Sequence, residues 1–223
     1  MNLKQTCHSC YKILLIATMA MAVFSSCTKE QVKPQLQDGS STVVTDLPGD
    51  IGSTINTGFK TFYFSLTTNA KVDSGQKKTA AWDISFAREY NSYVGINSGS
   101  NSASYGFEGP GQGAMLIVNQ AYDQVKEAPA DTEFTTNGVT AVGWDAGNGS
   151  GWYFYDLKTH IAVPVKNRTF VLRTAAGKYA KLELVSMYKG APTVVTDLNW
   201  PSPYFTFRYY VQQDGSRNLS TKN

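Results

Sequence analysis

The sequence predicts an all-β domain, mostly antiparallel, with at most one short helix. Three observations lead there. Apolar residues recur with a period of two in short runs, and Gly, Asn and Pro turns separate those runs at close intervals. The 3.6-residue period of an amphipathic helix is almost absent. No exact internal repeat is present, which argues against a propeller or solenoid.

The elements follow in chain order. "FKTFYFSLTT" (59–68) alternates Phe62, Phe64 and Leu66 with Tyr63, Ser65 and Thr67. "AAWDISFAR" (80–88) sets Trp82, Ile84 and Phe86 inward against Asp83 and Ser85 outward. "YNSYVGINSG" and "AMLIVN" read as further short strands, with a Gly/Ser loop at 98–114 between them. Residues 119–134 hold the best helical turn, expected to stop near Pro129. Strands then resume in "GWYFYDL", "HIAVPV", "RTFVLRT", "YAKLELVSMY" and "YFTFRYYVQQ"; Pro164 marks the second as an edge or irregular strand. The clearest hairpin is 168–188, turning at "AAGK". On its return strand Ala180, Leu182, Leu184 and Ser186 share the core face, which leaves Met187 on the opposite, more exposed face.

The N-terminus has another plan. Lys4 and Lys12 precede an apolar stretch from Ile13 to Phe24, too short to span a bilayer comfortably, as expected of a signal peptide over 1–26. "VFSSC" resembles the lipobox of bacterial lipoproteins, which implies cleavage before Cys27 and diacylation of that residue. Residues 27–58 are polar, with Pro and Gly and almost no aromatic residues, and read as a tether; 59–223 form the β-domain. Cys7 and Cys10 leave with the signal, so the mature domain has no disulfide and depends on an ordinary core. Removing the signal leaves 18 basic against 17 acidic side chains, a balance that argues against a nucleic-acid partner.

Enzymatic chemistry finds little support. His160 is the one histidine beyond the signal, and no G-x-S-x-G elbow offers it a nucleophile. Asp83, Asp145, Asp156 and Glu183 are glycosidase carboxylates by type alone. No zinc spacing, phosphate loop or calcium loop occurs. The chain is therefore expected not to be an enzyme. Trp82, Trp144, Trp152, Trp200 and the tyrosines of "YFTFRYY" serve packing or form stacking walls for a flat apolar ligand or a sugar.

The order of these motifs is itself informative. "FYFSL", "AWDISFAR", "WYFYDLKTHIAVPVKNRTFVLRTAAGKYAKLELVSMYKGAP" and "YFTFRYYVQQDGSRNL" resemble the HmuY-like lipoproteins of Gram-negative anaerobes over residues 60–219. The resemblance implies an antiparallel β-fold that grips haem between loops and strand ends. It also implies an outer-membrane lipoprotein that takes haem, free or from host haemoproteins, and feeds a TonB-dependent receptor. The founding member uses two histidines on the iron, and relatives use methionines. Residues 135–151, in the place of a histidine-bearing segment there, contain neither His nor Met.

With one histidine, this domain cannot supply two histidine ligands; His160, Met187 and Met115 are the candidates by residue type. His160 also suits a structural role at a strand start, and Met115 in "AMLIV" suits the core. The alternative reading keeps the fold without haem, as a surface binding or adhesion lipoprotein for a glycan or protein ligand. Whether the anchored domain faces the periplasm or the cell surface is left open by "TKE" after Cys27.

Overall fold

A computed structural model describes residues 35–221. In chain order its strands are β1 (Thr42–Pro48), β2 (Phe62–Ser65), β3 (Ala70–Val72), β4 (Ile84–Ala87), β5 (Tyr93–Ile96), β6 (Ala114–Val118), β7 (Ala141–Val142), β8 (Tyr153–Tyr155), β9 (Ala162–Pro164), β10 (Thr169–Arg173), β11 (Tyr179–Ser186) and β12 (Tyr204–Val211). The single α-helix among the described residues is α1 (Asp131–Thr136), and three short 3-10 turns complete the set. Strand pairing is antiparallel throughout: one sheet runs β1-β12-β11-β10-β6, a second runs β3-β2-β4-β5-β7, and β8-β9 form a separate hairpin. The all-β expectation, with one short helix, is borne out. No helix among the described residues is long and apolar enough to cross a membrane.

The period-two pattern explains the main core. Phe64, Ile84, Phe86, Val94 and Ile96 of the second sheet pack against Phe170, Leu172, Leu182, Phe205 and Phe207 of the first. The contact is aromatic: Phe86 and Phe205 lie 4.6 Å apart, and Phe64 meets Phe207 edge-on at 5.4 Å. Each such side chain contributes about 1.5–3 kcal/mol by leaving water. The other face of the first sheet is covered too, by a second cluster of Leu116, Val171, Val125, Phe134 and Leu219.

Cover on the outer faces of both sheets changes several expectations. Asp83 and Ser85, placed outward by alternation, are both buried. The Asp83 carboxylate accepts from the Leu66 amide at 2.8 Å and the Ala175 amide at 2.9 Å, which ties the second sheet to the β10–β11 turn. Burial pushes its pKa up against the pull of these amides. Lys181 is fully buried as well, its ammonium donating to the carbonyls of Tyr122 and Val125 and to Thr221 Oγ1 at 3.0–3.3 Å. The Gly/Ser loop 98–114 lies folded on Asn97: a Cβ at Gly106 would stand 2.0 Å from Asn97 Oδ1, so any larger residue would have to displace that buried side chain.

Met187 also departs from its expected face. Pairing of β11 with β12 shifts register between Leu184 and Ser186, and this bulge breaks the alternation before Met187 is reached. Met187 is only 6% exposed and belongs to the main core cluster. The helix differs in position: Pro129 precedes α1, with Ala130 as its N-cap, since proline fits just before a helix and not inside one. Residues 42–48, read as tether, form β1; Val43 and Val44 pair with Arg208 and Phe207 at the sheet edge. The signal peptide and Cys27 lie outside the described residues.

Candidate functional site

The β8–β9 hairpin is short, and its turn is shaped by side-chain oxygens. Asp156 Oδ1 accepts from the Lys158 and Thr159 amides at 2.7 and 3.1 Å, and these bonds hold its carboxyl below the usual range. His160 then takes a left-handed backbone (φ 57°), its amide donating to the Asp156 carbonyl at 2.7 Å. This geometry turns the His160 ring toward Tyr155, whose hydroxyl shares a hydrogen bond with Nδ1 at 2.9 Å. The bond fixes one ring nitrogen, as the orienting partner of a metal-binding histidine does.

Around this turn lies a cavity of about 830 Å³. Its volume is that of a site for a cofactor-sized ligand. Four stretches far apart in sequence build its walls, the first contributing Ile55. Tyr90 and Tyr93 come from the turn into β5. Trp144, Tyr155, Leu157 and His160 come from the β7–β9 region. Met187, Tyr188, Leu198 and Trp200 come from the excursion between β11 and β12. Trp144 is 42% exposed and meets Tyr155 edge-on, ring centres 6.0 Å apart.

Hydrogen bonds hold each wall in place. The Ala162 amide donates to the Tyr188 hydroxyl at 2.9 Å, joining the β8–β9 hairpin to the end of β11. Burial pushes the Tyr188 phenol up, so it stays neutral. The Tyr204 amide donates to the Met187 carbonyl at 2.8 Å, and Trp200 Nε1 donates to the Lys189 carbonyl at 2.9 Å; both close the 187–204 excursion. The Trp144 segment is gripped from the other side. The Asp145 carboxylate accepts from the amides of Gly147, Gly149 and Gly151 and from the Arg168 guanidinium, which also donates to the Gly151 carbonyl at 2.6 Å. Burial acts to raise the Asp145 carboxyl, and Arg168 with the three amides outweighs it, so its pKa is lowered.

Two of the three ligand candidates thus line one cavity: His160 and Met187. Met115 does not line it; it is fully enclosed in the main core against β10. Of the four tryptophans, Trp144 and Trp200 line the cavity, while Trp82 and Trp152 are buried. Tyr155, Tyr188 and Leu198 were not singled out from sequence, and no local pattern marks them. Among the described residues no three His, Cys, Asp or Glu side chains gather to hold a bare metal ion. A tetrapyrrole metal makes a smaller demand, for one or two axial donors, and an exposed imidazole and a thioether on an aromatic-walled cavity fit it.

Fold and cavity together describe an all-β binding domain with a cofactor-sized aromatic cavity. The chain belongs to the HmuY family: residues 59–201 match the family model described as HmuY protein, as the order of its sequence motifs suggested. Similar solved structures include the apo HmuY analog of Tannerella forsythia, TFO, at 13% identity, with 78% of this chain and 95% of that chain covered and a TM-score of 0.44. Apo PinO from Porphyromonas gingivitis is similar at 12% identity, with 78% and 97% covered and a TM-score of 0.45. No curated protein matches the chain in sequence.

Proposed function

We propose that this chain is a non-enzymatic cell-envelope lipoprotein, anchored through Cys27 to the outer membrane, that binds haem in the aromatic cavity and passes it to a TonB-dependent receptor. The observation that carries the reading is that His160 and Met187, distant in sequence, line the same aromatic-walled cavity. Family membership supports the same ligand class. His160, oriented by Tyr155, and Met187 are the residues that would hold the iron; the group would supply its flat apolar face to Trp144, Tyr155 and Trp200.

Titration of the purified protein with haemin, oxidised and then reduced, tests the reading. A shifted Soret band at one equivalent is expected; no shift in either oxidation state contradicts it. The half-exposed Trp144 beside Tyr155 favours one second reading, a glycan stacked on the same wall. Glycan binding that Trp144→Ala abolishes, with no Soret shift, would select that reading.

A further inference from the structure

Charge is distributed unevenly around the cavity. Among the described residues that line it, Glu89 and Asp197 are acidic, and none is lysine or arginine. A ligand bearing carboxylates would meet like charge there, which opposes its entry in that orientation.

A smaller cavity of about 270 Å³ shares Tyr93 with the large one as a lining residue. Its character is opposite. Arg88 is its sole charged lining residue, and Ser85 places there a buried hydroxyl with no hydrogen-bond partner. The Arg88 guanidinium stands over the Tyr93 ring, 4.6 Å from its centre, and among the described residues no carboxylate pairs with it.

The backbone that presents Arg88 is strained. Arg88 (φ 58°, ψ −156°), Tyr90 (φ 51°) and Asn91 (φ 52°) all have positive φ, which residues with a Cβ disfavour. The buried Asn91 side chain locks the turn by accepting from the Asp50 amide at 2.8 Å and donating to the Lys60 and Phe86 carbonyls at 2.9 and 3.3 Å. Strain held in place by so many bonds fixes where the turn sends its side chains: Glu89 and Tyr90 to the large cavity, Arg88 across Tyr93.

We propose that Arg88 is the carboxylate-recognition residue of this site. The planar body of the ligand occupies the large cavity, and one peripheral carboxylate passes the edge of Tyr93 to the Arg88 guanidinium. The planar fork of arginine suits a carboxylate, and stacking on Tyr93 keeps that fork pre-oriented. This assignment rests on the haem reading of the large cavity, because haem carries two such groups.

The experiment compares haemin with haemin dimethyl ester, which has the same ring and no carboxylate charge, on the purified full-length protein. Haemin should bind about fivefold tighter than the ester, the size of a partly exposed ion pair. Arg88→Gln should abolish the preference by weakening haemin alone, and Arg88→Lys should keep part of it. Unfolding midpoints of both variants should stay near wild type. If wild type shows no preference for the acid, or Arg88→Gln leaves the preference unchanged while both forms bind, the Arg88 assignment falls and the haem reading stands. If wild type binds neither form, both fall together.

Discussion

Two hairpins follow one another along the chain, β8–β9 and β10–β11, and they are built from similar alternating apolar residues. Their surroundings differ. In β10–β11 one face packs Phe170, Leu172 and Leu182 into the main core, and the other buries Val171 and Lys181 under the second cluster. In β8–β9 only one face is covered: Tyr153 and Ala162 turn inward, while their neighbours Phe154 and Val163, paired across the strands, are 46% and 52% exposed. A hairpin buried on both faces is fixed scaffold. One buried on a single face can carry a turn such as 156–161 beside a cavity without disturbing the core.

Substitutions in the scaffold hairpin should have the largest effect. Leu182→Ala should cost about 3 kcal/mol, the usual range for emptying a leucine site in a core, read as a lower urea midpoint. Arg168→Gln should cost less, about 2 kcal/mol, because the glycine amides still hold the Asp145 carboxylate when its buried partner is lost. Its effect should be concentrated in faster amide exchange over 143–151 and weaker ligand binding, since that segment carries Trp144.

A pH series separates the two hairpins further. Burial lowers the Lys181 pKa from 10.5 to about 8. The unfolded chain therefore holds this proton more tightly, and stability should rise between about pH 8 and 10 as Lys181 loses its charge only in the folded state. Above that range Tyr209, pushed up by burial to about 12, opposes the gain, because its unfolded form ionises first. Lys181→Met should flatten the rise in a series of urea midpoints. At the acid end, the lowered Asp145 carboxyl contributes stability that is lost as pH falls through its folded pKa, below 3.8. The smallest effect belongs to the open face of β8–β9: Phe154→Ser should change stability by no more than about 0.5 kcal/mol in calorimetry.

These differences also mark what the sequence could say. Alternation correctly puts Ala180, Leu182 and Leu184 on the core face of β11, because a period of two depends only on local backbone geometry. It names two faces without saying what covers the second one. Asp83, Ser85 and Lys181 look solvent-facing in their strands and are buried by segments distant in the chain. The bulge after Leu184 leaves no local signature, yet it moves Met187 into the core and onto the cavity wall. Tyr90, Trp144, Met187 and Trp200 come from segments distant in the chain and share one cavity only in the fold, so the site was legible as a list of residue types and not as a place.

If haem binds in the cavity, His160 and Met187 are the side chains that would hold its iron. The most direct measurement is a haemin titration of the His160→Ala/Met187→Ala double variant beside wild type, at matched folded fraction. A Soret shift is expected at one equivalent in wild type and none in the double variant; an identical shift in both would overturn the assignment of His160 and Met187 to the iron.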